Sequence, residues 1–96
     1  EQGFTIIEGA LPPASLARIR AELDPWLQGR YPGRNDFEGF HSERVYAVLA
    51  KAPSAAELVE HAAVLEIVDA FLDRHYLLSA LLAIDIHPGE TPQSWH

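Results

Sequence analysis

Residues 76–89 read YLLSALLAIDIHPG and form the longest apolar run in the chain. The Pro-Gly pair at the end favours a turn, and the nearly continuous apolar character is typical of a strand buried on both faces. We therefore predict a strand from Tyr76 to His87. Side chains alternate along a strand, so Leu81, Ala83 and Asp85 are expected to share one face. A carboxylate in such an apolar row needs a hydrogen-bonding partner or a metal ion.

Upstream of this strand, the sequence predicts a short strand and an amphipathic helix. Residues 3–9, GFTIIEG, place β-branched and aromatic side chains between two glycines, which suits a short strand. The Leu-Pro-Pro sequence at 11–13 favours a helix start. Apolar side chains then recur at helical spacing from Ala14 to Gln28. We expect this helix to lie on the core.

The middle of the chain predicts a long loop followed by two short helices. Residues 29–42 contain three glycines and one proline without a regular period, and loops of that length are usually functional or mobile. Ser54 and Glu57 have the spacing of a capping box, so that a helix should begin near Ala55. The apolar face shifts register near His61, where we expect a break between the two helices.

Composition limits the class of function. Ninety-six residues, 48% of them hydrophobic and 22% charged, indicate one globular domain with a modest core. The formal charge of -7 argues against nucleic-acid binding, because counterion release requires clustered basic side chains. Cysteine is absent, which leaves His, Asp and Glu as metal ligands. No apolar run is long enough to span a bilayer, and we expect a soluble, cytoplasmic protein without a membrane partner.

The two ends of the sequence suggest an excerpt from a longer protein. The chain contains no Met, begins at Glu1 and stops at His96 without a polar tail. We expect residues 1–96 to form a single partial domain of the α+β class.

Five histidines are the residues most suited to metal chemistry. Three of them lie beside loop or helix-end signals and are expected to be solvated or capping residues, namely His41, His61 and His75. His87 ends the predicted strand and, taken alone, is more often structural than a ligand. His96 is the last residue, so its role depends on the next part of the chain. A small zinc site formed by Asp85, His87 and His96 is an alternative that requires the three to converge across the Pro-Gly turn.

Three stretches of the sequence together resemble the phytanoyl-CoA dioxygenase family. Residues 3–23 resemble the opening strand and helix of that family. Residues 40–53, FHSERVYAVLAKAP, and residues 84–96, IDIHPGETPQSWH, match the run into its iron-binding segment. The resemblance implies an α+β fold made of the N-terminal helices and first strands of a double-stranded β-helix, a jelly-roll or cupin-like barrel.

The resemblance also implies an activity. It is that of a non-haem Fe(II), 2-oxoglutarate-dependent dioxygenase, which uses dioxygen to hydroxylate a small organic substrate. In the family a histidine begins a His-x-Asp pair whose side chains point the same way from a strand, and His96 matches this first iron ligand. The sequence stops before the Asp, the distal His and the cosubstrate-binding Arg. The isolated fragment is therefore expected to be inactive.

Further site residues are implied by the same resemblance. Asp85 falls near a strand position that carries a polar side chain close to the cosubstrate in some relatives, and Gln93 is assigned with it to cosubstrate binding. The expected substrate pocket consists of Leu81, Ala83, Arg44 and Trp95. Leu81 and Ala83 stand where the ectoine hydroxylase branch has polar residues, which implies a less polar substrate. For Arg44 and Gln93, a surface ion pair and a turn amide are equally acceptable roles.

A second class of function remains open at this point. A non-catalytic acidic α+β module that docks a partner protein through a helical face or an exposed strand fits a sequence with scattered histidines and no complete motif. The residues beyond His96 distinguish the two classes, because an oxygenase has Asp two positions later and then a distant His and Arg.

Overall fold

The structure is a computed structural model that describes residues 3–96. Helices and one two-stranded antiparallel sheet make up the fold, which confirms the α+β class. In chain order the elements are α1 (Pro13–Leu23), a 3-10 turn (Asp24–Trp26), β1 (Ser42–Val45), α2 (Val48–Lys51), a 3-10 turn (Pro53–Ala55), α3 (Ala56–Val59), α4 (Ala62–Phe71) and β2 (Ala83–Ile86). The jelly roll implied by the family resemblance stays a prediction.

Helix α1 begins where the sequence predicts. Pro12 is extended, with φ of -60° and ψ of 145°, and Pro13 occupies the first turn, where a missing N–H leaves no helical hydrogen bond unmade. The helix buries Ile19 against the core. Pro25 lies in the 3-10 turn that comes after Leu23, because a proline at that point cannot continue the α-helical hydrogen-bond ladder.

Residues 3–9 are irregular, which corrects the prediction of a strand there. Three of their large apolar side chains are exposed, namely Phe4, Ile6 and Ile7. A high β-propensity does not produce a strand unless a neighbouring strand supplies the other half of the hydrogen bonds. The sheet described here consists of β1 and β2, and neither pairs with this segment.

The strand predicted from Tyr76 to His87 is much shorter in the structure. β2 covers only Ala83–Ile86, because its partner β1 is four residues long and pairs with it from Ser42 opposite Ile86 to Val45 opposite Ala83. β1 ends where Ala47 adopts a φ of 53° and turns the chain into α2. Neither β1 nor α2 is predicted from the sequence.

The capping box predicted at Ser54 and Glu57 does not form. The backbone N–H and the hydroxyl of Ser54 both donate to the carboxylate of Glu22 in α1, at 2.9 Å and 2.8 Å. Glu57 instead pairs with Arg18, also in α1. Glu22 and Arg18 of α1 thus take the place of the contact between Ser54 and Glu57, because α1 packs beside these two residues.

The predicted break between two helices is confirmed. α3 ends at Val59, and α4 begins at Ala62 after His61, which is extended with φ of -62° and ψ of 125°. The ring Nε2 of His61 lies 2.9 Å from the carbonyl oxygen of Ala10. Within residues 3–96 no helix combines the length and the apolar character that crossing a bilayer requires.

The core is small. Among residues 3–96, five apolar side chains are buried: Ile19 in α1, Val45 in β1, Val48 in α2, Ala52 directly after α2, and Ala55 in the next 3-10 turn. Partly buried side chains pack against these five residues, including Trp26 after α1, Leu58 in α3 and Leu81 before β2. In contrast, α4 and the segment before β2 leave apolar side chains in solvent, with Phe71 84% and Leu77 90% exposed.

Candidate functional site

The two strands divide the predicted site residues between two faces of the sheet. Side chains alternate along each strand, and the register places Ser42, Arg44, Ile84 and Ile86 on one face, which we call the cavity face. Glu43, Val45, Ala83 and Asp85 lie on the other face, which we call the carboxylate face.

A cavity of about 300 Å³ opens on the cavity face. Its floor is formed by Ile84 and Ile86, and its walls come from the loop at 37–39 and the segment at 90–93. This is the lower end of the size range for small-molecule sites, which are typically apolar with a few fixed polar groups. Arg44 supplies the positive charge in the lining.

Arg44 has a donor without a partner. Its Nη2 donates to the carbonyl oxygen of Glu38 at 3.0 Å, while its buried Nε makes no hydrogen bond to residues 3–96. A buried donor left unsatisfied costs about 1–3 kcal/mol, and a guanidinium group is well shaped to bind a carboxylate. This buried donor therefore lowers the stability of the described part of the chain.

The loop that carries Glu38 is held by charge-assisted hydrogen bonds. The backbone N–H of Arg34 donates to Glu38 at 2.9 Å, and the Arg34 Nε donates to the same carboxylate at 2.9 Å. The side-chain hydrogen bond from Arg34, followed by the backbone one, lowers the pKa of Glu38 to about 2. Asn35 accepts the Glu38 N–H at 2.9 Å. The carbonyl group that contacts Arg44 is thus part of a well-ordered turn.

Glu90 attaches the opposite wall of the cavity to β1. Its carboxylate accepts the backbone N–H of His41 at 2.7 Å, the hydroxyl of Ser42 at 2.9 Å and the N–H of Thr91 at 2.8 Å. Burial acts to raise the pKa of Glu90, but the three hydrogen bonds outweigh it and the pKa is lowered overall. These three hydrogen bonds fix the position of Glu90, where the segment that leads to His96 begins.

His96 lies beside this cavity. Its ring packs edge-on against Phe37, with 5.0 Å between ring centroids and 67° between planes, and Phe37 also accepts a hydrogen bond from the side chain of Gln93. The Nδ1 of His96 lies 2.9 Å from the carbonyl oxygen of Ser94. A neutral imidazole that donates from Nδ1 keeps the lone pair of Nε2 free to act as a ligand.

The structure brings together only some of the predicted site residues. Arg44 and Gln93 line the cavity, and His96 is linked to it through Phe37. Four others lie elsewhere: Leu81 and Ala83 pack against the core, Asp85 is on the carboxylate face and Trp95 is fully exposed. For Arg44, Ala83 and Asp85 the separation arises because side chains alternate along the paired strands, whereas Leu81 and Trp95 lie outside the strands.

A second cluster lies on the carboxylate face. The His87 Nε2 lies 3.4 Å from Glu43 and 3.6 Å from Asp85, and these three could hold a metal ion. Of the three residues in the zinc alternative raised from the sequence, Asp85 and His87 come together with Glu43, whereas His96 packs on Phe37 at the other face of the sheet. Glu43 is missed by the sequence analysis because β1 was not predicted, and Ser-Glu-Arg-Val shows no alternation of apolar and polar residues.

A third feature is an apolar groove of about 360 Å³. It is formed by α3, α4 and residues 72–81, and nearly all of its lining is apolar. At one side, the hydroxyl of Tyr76 donates to Asp69 at 2.6 Å, and this hydrogen bond raises the pKa of Tyr76. The groove offers no group suited to catalysis, but it is a surface that another apolar surface would cover.

Comparison with protein families, with curated proteins and with solved structures finds no match for this chain. The chemistry of the site therefore follows from the residues on the two faces of the sheet. The cavity face offers a guanidinium donor, an apolar floor and a nearby imidazole with a free nitrogen. The carboxylate face offers two carboxylates and a second imidazole.

Proposed function

We propose that this chain is the N-terminal part of a cytoplasmic Fe(II), 2-oxoglutarate-dependent dioxygenase with a jelly-roll fold, and that His96 is its first iron ligand. The observation that carries the proposal is the contact between the His96 Nδ1 and the Ser94 carbonyl at 2.9 Å. Histidines that bind metals almost always donate their other ring N–H to a carbonyl or carboxylate, which fixes the tautomer. The family resemblance around residues 84–96 assigns this same residue to the iron.

The proposed ligand set for iron needs further residues that come after His96 in the sequence. One imidazole does not hold the ion, and the proposal requires the Asp and the distal His that come after the corresponding histidine in the family. Bound iron would supply the oxidative decarboxylation of 2-oxoglutarate, coupled to hydroxylation of an unactivated C–H bond. The residues of this chain would hold the His96 ring against Phe37 and form part of the pocket wall.

The cavity supports a small organic substrate. Ile84 and Ile86 give it an apolar floor, and Arg44 in its lining supplies a positive charge for a polar or anionic group on the bound molecule. Gln93 is the cosubstrate-binding candidate on this side of the sheet. Asp85 lies on the carboxylate face, so the proposal for the cavity does not depend on it.

The experiment that tests the proposal is succinate release from 2-oxoglutarate by the complete protein with ferrous iron. We expect turnover in the wild type and its loss in His96→Ala. His75→Asn is a matched control, because His75 is exposed and Asn tolerates its φ of 75°. A wild-type protein that neither binds iron nor releases succinate would contradict the proposal.

A second candidate function is a non-catalytic module that docks a partner protein. The exposure of Leu72 and Leu77 along the apolar groove favours it, because patches of this kind often mark protein interaction sites. If the oxygenase proposal is correct, we expect the rest of the complete protein to cover this groove. A dye that fluoresces on apolar surfaces should therefore bind the complete protein only if the module is correct, and Leu77→Asp should then reduce that binding.

A further inference from the structure

Three residues on the carboxylate face are positioned by strand pairing. Glu43 in β1 lies directly opposite Asp85 in β2, and His87 comes two positions after Asp85, so its side chain projects from the same face. The backbone N–H of His87 donates to the carbonyl oxygen of His41 at 3.0 Å. This hydrogen bond continues the pairing by one residue beyond β2 and fixes the direction in which the His87 ring leaves the backbone.

The donor atoms are spaced as metal ligands are. The distances from the His87 Nε2 to the Glu43 Oε2 and the Asp85 Oδ2 are 3.4 Å and 3.6 Å, and all three atoms lie within 4.8 Å of one another. Ligands at about 2.0–2.1 Å from a tetrahedral Zn²⁺ lie about 3.3 Å apart. The two carboxylate oxygens lie at most 4.8 Å apart, so that closing them to this spacing requires at most about 1.5 Å of side-chain movement.

Burial of Glu43 is an independent observation in favour of a ligand. Its side chain is only 9% exposed, and a buried carboxylate requires a compensating charge or hydrogen bonds. One of its oxygens accepts the backbone N–H of Gly29. The other faces His87, which is its ion-pair partner among residues 3–96. The imidazole of His87 therefore lies near two carboxylates, those of Glu43 and Asp85.

We propose that Glu43, Asp85 and His87 bind a divalent transition-metal ion, with Zn²⁺ as the best match. A dication and a neutral imidazole balance two carboxylates in full, whereas a protonated imidazole balances only one. Mg²⁺ and Ca²⁺ prefer six or more oxygen ligands, while Zn²⁺ accepts one imidazole, two carboxylates and a water in the fourth position. His87 and Asp85 are 49% and 53% exposed, which leaves that fourth position open to solvent.

The proposed ion would fasten the sheet. Its ligands come from both strands, so the bound ion would join β1 to β2 at the end where the chain enters the Pro-Gly turn. This site is separate from the proposed iron site, because His96 packs on Phe37, which lines the cavity on the other face of the sheet. The failure of one proposal therefore leaves the other untouched.

The test is a zinc titration of the complete protein by calorimetry after removal of metals with a chelator. The His96→Ala variant serves as the background, so that zinc entering the proposed iron site does not contribute. We expect one site of micromolar or tighter affinity and a rise in the thermal midpoint on adding zinc. Asp85→Asn and His87→Gln should abolish both effects, since loss of a mere supporting partner already weakens metal sites about 10–100-fold.

Two controls keep the result interpretable. Glu60→Gln changes an exposed carboxylate on the turn between α3 and α4, and it should leave zinc binding unchanged. Because Glu43 is buried and its substitution could unfold the chain, the proposal is judged on the exposed ligands Asp85 and His87. If the zinc affinity of these two variants equals that of the His96→Ala background, or if the background protein binds no zinc, the proposal is overturned and the three residues form a metal-free polar cluster.

Discussion

Replacing Val45 with alanine removes the largest fully buried side chain of the core. The substitution deletes two methyl-sized groups, which at about 0.8 kcal/mol each lose about 1.6 kcal/mol of transfer free energy. A rigid cavity of about 50 Å³ would add about 1.2 kcal/mol at about 24 cal/mol per Å³. We therefore expect the free energy of unfolding to fall by about 1.6–2.8 kcal/mol. This loss is a large share of the free energy of unfolding expected for a chain whose described part buries five apolar side chains.

Val64→Ala is the matched control, because the same atoms are removed from a side chain that is 43% exposed. Val64 lies in α4, where alanine has the higher helix propensity, so that the net change should stay within about 0.5 kcal/mol. Urea unfolding measures both variants, and the dependence of stability on urea should be the same in each. A loss below about 1 kcal/mol for Val45→Ala, or equal losses for the two variants, would refute the placement of β1 at the centre of the core.

Three further predictions concern the loop at residues 29–42 and the contact of Lys51 with Trp26. Gly33→Ala should destabilise the chain by about 1–3 kcal/mol in urea unfolding, because its Cβ would overlap the backbone of residues 38–39, and an unchanged midpoint would contradict this packing. The pKa of Glu38 is about 2 in the folded chain against an ordinary 4.5, so its stabilisation is complete above pH 4.5 and is lost as the pH falls toward 2. Glu38→Gln should flatten the pH dependence of the urea midpoint in that window, and an equally steep dependence would contradict the assignment. Lys51→Met keeps the apolar stem but removes the cation 4.9 Å from the Trp26 ring, and it should cost about 0.5–1 kcal/mol and shift the tryptophan fluorescence; unchanged emission would argue against the contact.

Local patterns predicted the helices well where local physics decides them. The Pro-Pro start of α1 and the break at His61 arise from backbone restrictions that need no distant partner. The capping box failed because α1 lies alongside: Glu22 reaches Ser54 first. Such contacts between residues far apart in sequence are not visible in a local pattern.

The sheet and the site were harder to predict for the same reason. A strand needs a partner, and the four-residue β1 carries too few positions to give a clear alternation. With β1 unpredicted, the pairing of Glu43 with Asp85 could not be foreseen, nor could the placement of Arg44 and Asp85 on opposite faces. The face shared by Ala83 and Asp85 was predicted, because alternation within one strand is a local property.

The most direct measurement of the central proposal is anaerobic binding of 2-oxoglutarate to the complete protein loaded with ferrous iron. Binding isolates the ligand role of His96 from every later chemical step. We predict that 2-oxoglutarate binds the wild type and His75→Asn only when iron is present, and that this iron-dependent binding disappears in His96→Ala. Iron-dependent binding of equal strength in His96→Ala would contradict the proposal.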